Sequence, residues 1–400
     1  MNGLENINCG RHMQLITTTT ALAEFCATAR AAPYVTVDTE FLRERTYYAQ
    51  LCLLQMALPG ADGPTSGPAV LVDPLAEGLS LEPFYELLRD ESTIKVLHAA
   101  RQDLEIFYID GGVLPKPLFD TQVAAMVCGF GDQVGYETLV RKLAKGQVDK
   151  TSRFTDWSRR PLSDAQLKYA LADVTHLRVV YEKLAAKLQA TGRAPWVAEE
   201  LQTLSDPETY IQRPEDAWMR VRTRNDSGRF LAIVRELASF RESYAQGRNV
   251  PRSRVFKDDA LLELASVKPA VADDLGRTRL LLREARKGDI AKGILDAVAR
   301  GMACAPADMP QAPAMRENMQ VNPALADLLR VLLKAKADST DVAAKLIASA
   351  SDLDALAAGF RDIPALAGWR AEVFGTAALR LCSGDVGLVV KGDKVEVFEL

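Results

Sequence analysis

The feature that most constrains this chain is the run Tyr34–Tyr48, YVTVDTEFLRERTYY. It opens with the β-branched and aromatic residues of a buried strand, yet Asp38 and Glu40 stand inside the apolar run. Side chains alternate along a strand, so Asp38 and Glu40 share a face with Thr36, while Val35, Val37, Thr39 and Phe41 share the other. The two carboxylates leave the backbone about 7 Å apart and can converge on one point. Burying unpaired carboxylates is costly, and no Lys or Arg lies between them. A divalent cation would supply the missing positive charge.

If a cation is the reason, more acids should converge. Asp103 follows the strand-like TIKVLHA, in the first turn of the next helix, where the helix dipole favours a carboxylate. The stretch PLSDAQLKYALADVTHLRVVYEKLAAKL is predicted to be a long helix that starts at a Ser163/Gln166 capping box. On it, Tyr169 and Asp173 are four apart and share a face beside the apolar stripe Leu167, Ala170, Leu171, Val174 and Leu177. His176 can share that side. Four carboxylates without local basic partners suit hard, oxygen-seeking Mg²⁺ or Mn²⁺. Two such ions about 3.5–4 Å apart form a clamp used for phosphodiester cleavage. Tyr169, with an ordinary pKa near ~10, reads as a positioner of water and not as the base.

The 400 residues allow two or three domains. No apolar run approaches the roughly 20 residues of a membrane span, so no membrane association is expected. MNGLENINCGRH lacks a signal-peptide core and Met13 opens a second plausible start, so residues 1–12 read as a leader. The six cysteines (9, 26, 52, 128, 304 and 382) form no C-x-x-C pair, which fits a reducing cytoplasm. The only histidines are His12, His98 and His176, too few and too scattered for a Cys/His zinc cluster. Gly129, Gly131 and Gly135 miss the dinucleotide fingerprint by one residue, and P-loop and G-x-S-x-G motifs are absent, so no organic cofactor is expected.

Residues 13–205 alternate strand and helix signals before turning mostly helical, which predicts an α/β domain with a mixed sheet flanked by helices. Residues 213–300 read as a small all-helical module, 301–317 as a linker, and 318–400 as a second helical module closed by a β-hairpin in VGLVVKGDKVEVFEL. Charge divides along these lines. Residues 1–200 carry 20 basic and 25 acidic residues, net −5, whereas residues 213–300 carry 19 and 13, net +6. The basic segment points to a polyanion, or equally to a solvated helix surface.

The three acidic motifs, in this order, resemble those of the ribonuclease D family within the 3′→5′ exonuclease superfamily, which carries four acids and a third-motif tyrosine. Asp38 and Glu40 match the first motif, Asp103 in LHAARQDLE the second, and Tyr169 with Asp173 the third. DTQ at 120–122 and DWSRRPL at 156–162 are also similar to the family, and the likeness covers about residues 13–205. Arg248–Pro269 resembles the helical domain shared by nucleic-acid helicases and this family (HRDC-like), with a second, diverged copy in about 318–385.

The resemblance implies an α/β ribonuclease H-like exonuclease domain followed by two small all-α domains. It implies a metal-dependent 3′→5′ exoribonuclease that trims structured RNA such as tRNA precursors and releases 5′-mononucleotides; a monomer is expected. Asp38, Glu40, Asp103 and Asp173 would hold two Mg²⁺ or Mn²⁺ ions, with Tyr169 completing the catalytic set. Arginines pair with phosphates and aromatics stack on bases, so Arg153, Phe154, Trp157, Arg159 and Arg160 are candidates to hold RNA, with His176, Arg248, Arg252 and Arg254. His98 is expected to be a satisfied core histidine. A DNA exonuclease is the alternative from the same chemistry, and a non-catalytic RNA-binding scaffold the alternative from another class; the intact set of four acids and a tyrosine argues against the latter.

Overall fold

The computed structural model describes residues 14–149, 151–311 and 320–400. The leader expected at 1–12 and part of the linker expected at 301–317 lie outside the described residues.

The core element is strand β2, Tyr34–Leu42, in a six-stranded sheet. It is preceded by β1 (Gln14–Ile16) and α1 (Thr19–Arg30). It is followed by β3 (Gln50–Ala57), β4 (Ala69–Val72), α2 (Glu82–Arg89), β5 (Ile94–Leu97), α3 (Arg101–Gly111) and β6 (Leu118–Asp120). The strand order is β1-β4-β3-β2-β5-β6. β3 runs antiparallel to β4, whereas β1/β4, β2/β5 and β5/β6 are parallel, so the sheet is mixed as the sequence predicts. β3 is buried from Leu51 to Ala57, which explains its continuous apolar run.

Register decides where function can sit. β2 pairs with β5 only from Tyr34↔Ile94 to Thr36↔Val96. Asp38 and Glu40 therefore project beyond the last paired residues of β5, where the chain turns into α3. The crevice outside the carboxyl ends of strands is where ligands bind in open α/β sheets.

The helices α4 (Thr121–Val127), α5 (Tyr136–Leu139), α6 (Asp164–Thr191) and α7 (Ala194–Leu204) follow. α6 begins at Ser163, where the predicted capping box with Gln166 is formed. Among the described residues the five cysteines are free, and no helix is long and apolar enough to cross a membrane.

The chain packs as two compact units. One contains the described residues up to Phe41, Leu51–Thr209 and the chain after the undescribed stretch 312–319. The C-terminal helices thus share a unit with the α/β domain. Trp369 stacks on Trp196 of α7 at 4.9 Å and 13°, and its indole N–H donates to Glu200 Oε1 at 2.9 Å. Arg370 pairs with Glu200 at 2.6 Å, and the Ala343 N–H donates to the Met126 carbonyl. The predicted terminal hairpin is present, Val386–Lys391 against Lys394–Glu399, with Gly392 at φ 66° in its turn.

The other unit holds Leu42–Gln50 together with residues 210–311, built on α8 (Gly228–Arg248), α9 (Arg252–Val255), α10 (Asp258–Val267) and α11 (Gly288–Ala303). Its most deeply buried charge is Glu242, fully inaccessible, which accepts from the Tyr47 hydroxyl, from Arg252 Nε and Nη2 at 2.5 Å, and from Arg220. Asn249, in the left-handed region at φ 48°, accepts from the backbone N–H groups of Tyr47 and Tyr48 through its side chain. The loop that leaves β2 is thereby part of the helical unit.

Trp369 is 3% exposed, so Trp369→Ala should cost about 3–5 kcal/mol, read as a lower urea midpoint, with Trp369→Phe recovering much of it. A loss below about 1 kcal/mol would show that the Trp196–Trp369 stack does not carry the packing of the C-terminal helices.

Candidate active site

Three elements bring the acids together. β2 supplies Asp38 and Glu40, the first turn of α3 supplies Asp103, and α6 supplies Asp173 with Tyr169 one turn earlier. Asp103 and Asp173 are only 7% and 8% exposed. Each acid is displaced from the ordinary carboxylate range. Burial, then the charges of Asp173, Asp103 and Glu40, hold Asp38 well above it. Burial and the charges of Asp173 and Asp103 push Glu40 up to about 9, against which Arg153 pulls down. Burial raises Asp103 and Asp173 to about 7. The acids therefore share one electrostatic neighbourhood in which negative charge is in excess, and Arg153 is the basic side chain whose charge reaches Glu40 and Asp173.

The donor set is all oxygen, which fits hard divalent cations. Among the described residues no three His, Cys, Asp or Glu side chains form a ready-made ligand cluster. Like charges held in a low-dielectric seam resist convergence until a cation offsets them, so the charge excess and the donor chemistry are what fit a metal here.

The supporting groups are equally specific. Thr39 donates its hydroxyl to Asp103 Oδ1. Asp120, at the N-cap of α4, accepts from Gln122 N and Val123 N and also from Ala99 N (3.1 Å) and Ala100 N (2.8 Å). It thus fixes the turn into α3, where Ala99 adopts a left-handed φ of 56°. This gives DTQ a structural job that sequence alone does not supply. The Tyr169 hydroxyl bonds to Asp173; burial and the charges of Asp173, Glu40 and Asp38 keep its proton on far above neutral pH.

The RNA-contact candidates separate sharply. Trp157, expected on the surface to stack on a base, is instead 2% exposed, with its ring 6.0 Å from that of Tyr169. It backs the tyrosine and has no free face for a base. Arg160 is committed as well: it pairs with both oxygens of Asp73 and donates to the carbonyls of Cys52, Trp157 and Arg159, which occupies its N–H groups. Arg153 and Arg159 are exposed, and Phe154, 92% exposed, lies under the Arg153 guanidinium at 5.3 Å. His176 is partly exposed and packs against Gly146, where an added Cβ would meet its ring at 2.9 Å. In the helical unit, Arg252 is tied to Glu242, Arg248 lies 3.4 Å from Asp289, and Arg254 is exposed. His98 meets the expectation of a satisfied histidine: its Nδ1 is 3.0 Å from Thr121 Oγ1.

Comparison with known proteins agrees with this geometry. Residues 13–189 match a family model described as 3′-5′ exonuclease, and residues 230–298 match the HRDC domain. The chain is 63% identical to ribonuclease D of Jannaschia sp. (strain CCS1), over 96% of this chain and 99% of that relative. It is 49% identical to ribonuclease D of Granulibacter bethesdensis, over 96% of each. Its fold matches the crystal structure of Escherichia coli RNase D, an exoribonuclease involved in structured RNA processing, with a TM-score of 0.79 and 30% identity over 94% of this chain and 99% of that one.

The raised carboxyls make a signed prediction. A carboxyl whose folded-state pKa lies above its unfolded value of about 4 binds more protons in the folded state, so it lowers stability as pH rises. With values of about 7 for Asp103 and Asp173 and about 9 for Glu40, the melting temperature in EDTA should fall between about pH 5 and pH 9. Asp103→Asn should flatten that decline, and millimolar Mn²⁺ should oppose it at the alkaline end. A pH-independent melting temperature in EDTA would contradict the electrostatics described here.

Proposed function

The chain belongs to the ribonuclease D family of 3′→5′ exoribonucleases, and on that premise we propose that it hydrolyses the terminal phosphodiester of structured RNA with two divalent ions held by Asp38, Glu40, Asp103 and Asp173. Transfer RNA precursors are the proposed class of substrate. The single observation that carries the reading is the gathering of four charge-excess carboxylates and a proton-retaining tyrosine from β2, α3 and α6 beyond the end of β5.

When bound, the cations would lower the pKa of a water and offset charge on the scissile phosphate. The chain's own groups do the rest. The four carboxylates present oxygens from two strand positions and two helix faces, which fixes where the phosphate can sit. Tyr169, hydrogen-bonded to Asp173 and holding its proton, orients the attacking water through its hydroxyl. Arg153 brings the positive charge that a phosphate oxygen would meet beside Glu40 and Asp173. Attack of water on phosphorus breaks the bond to the 3′ oxygen of the preceding nucleotide and releases a nucleoside 5′-monophosphate.

Asp38→Asn should lower the rate on 5′-labelled RNA in Mg²⁺ by about 100-fold or more while RNA binding persists. Tyr169→Phe should lower the rate about 100-fold with metal-induced thermal stabilisation retained. EDTA should stop the wild-type reaction, and a DNA strand of the same sequence should be the poorer substrate. An Asp38→Asn enzyme as fast as wild type would remove the assignment.

A further inference from the structure

Tyr136, on the short helix α5, reaches the backbone of α6 at the residue that matters most there. Its hydroxyl donates to the Asp173 carbonyl at 2.5 Å, with the Ala172 carbonyl at 3.2 Å, and its oxygen accepts from the Leu177 N–H. Asp173 C=O and Leu177 N–H are the two ends of one rung of the helix ladder. A phenol hydroxyl standing at that rung is one of the few devices that set the local path of a helix.

The next carbonyl is held from the other side. Thr36, fully buried on β2 and two residues before Asp38, donates from Oγ1 toward the Val174 carbonyl at 2.9 Å and the Ala57 carbonyl at 3.1 Å. The turn of α6 that carries Asp173 is therefore gripped by β2 and by α5 through consecutive carbonyls. His98, oriented by Thr121, packs its ring 5.5 Å from that of Tyr136. A helix rung needs neither hydroxyl to close. What the two add is the register of Asp173 and Tyr169 against Asp38 and Glu40, which the reaction needs to about an ångström.

We propose that Tyr136 is a positioning residue for Asp173, assisted by Thr36, and that its hydroxyl sets the catalytic geometry without touching substrate. This rests on the reading of Asp173 as a metal-holding carboxylate.

The test uses the full chain and a short 5′-labelled single-stranded RNA with Mn²⁺ titrated. Tyr136→Phe should lower kcat about 10- to 100-fold, raise the Mn²⁺ midpoint, and leave KM and the melting temperature in EDTA nearly unchanged. Tyr34→Phe deletes a tyrosine hydroxyl bonded to Glu182 at 2.8 Å, at the far end of the same strand, and should keep wild-type kcat. If Tyr136→Phe does not fold, Thr36→Val replaces it and should show the same split. A folded variant with wild-type kcat and Mn²⁺ midpoint overturns the proposal, as does failure of both variants to fold, which would make the hydroxyls merely structural. Asp173→Asn separates the two layers: an active Asp173→Asn removes the site reading, whereas an inactive Asp173→Asn beside a fully active Tyr136→Phe removes only the positioning role.

Discussion

Mutual repulsion among four carboxylates, two half-buried and two buried, is the constraint around which the α/β domain is arranged. Burial raises the free energy of each charge, and the neighbouring acids raise those of Asp38 and Glu40 further. A domain with ordinary apolar residues at 38, 40, 103 and 173 would be more stable and would lack these carboxylate oxygens beyond β5. The fold holds this unfavourable cluster because the strands behind it are buried, β2 from Tyr34 to Val37, β3 from Leu51 to Ala57 and β5 from Lys95 to Leu97. Local strain of this kind survives only where the scaffold over-determines it.

That over-determination is visible in the helpers. Thr39 holds Asp103, Asp120 holds the turn in front of it, Trp157 backs Tyr169, and Tyr136 with Thr36 grips the turn of Asp173. Each helper is neutral or has its charge spent on backbone N–H groups, so none cancels the charge excess that makes the seam attractive to cations. Arg153 is the exception, and it sits in an exposed loop where a phosphate could compete for it.

The sequence discloses the acids because their placement obeys local periods. A period of two puts Asp38 and Glu40 on one strand face, and a spacing of four puts Tyr169 and Asp173 on one helix face. The capping box at Ser163 is local too, and it was legible to the residue. The helpers are not local. Thr39 and Asp103 are 64 residues apart, Tyr136 and Asp173 are 37 apart, and Arg160 and Asp73 are 87 apart. Nothing in a short window distinguishes an arginine engaged by a distant carboxylate and carbonyl from one that waits for a phosphate, which is why Arg160 and Trp157 read as RNA contacts whereas Arg160 is engaged by Asp73 and Cys52 and Trp157 is buried behind Tyr169. The same limit hid the union of the C-terminal helices with the α/β domain, since Trp196 and Trp369 declare no partnership until they stack.

The basic helical unit shows how far a charge count can be trusted. Its surplus of six positive charges is real, but part of its arginine complement is engaged inside the unit. Arg220 and Arg252 converge on the buried Glu242, Arg241 pairs with Asp258, Arg229 closes the carbonyl end of α11, and Arg286 donates to the carbonyls of Thr278 and Leu281. An arginine that satisfies buried carbonyls or a buried carboxylate cannot leave them for a phosphate without exposing an unmet polar group, at a cost of about 1–3 kcal/mol for each. The long-range field of the unit would still favour a polyanion, because charge acts at a distance whether or not its hydrogen bonds are spent. Any close phosphate contact of this unit would have to come from the arginines that remain exposed, such as Arg254. Attraction and grip are thus carried by different side chains, and composition reports only the first.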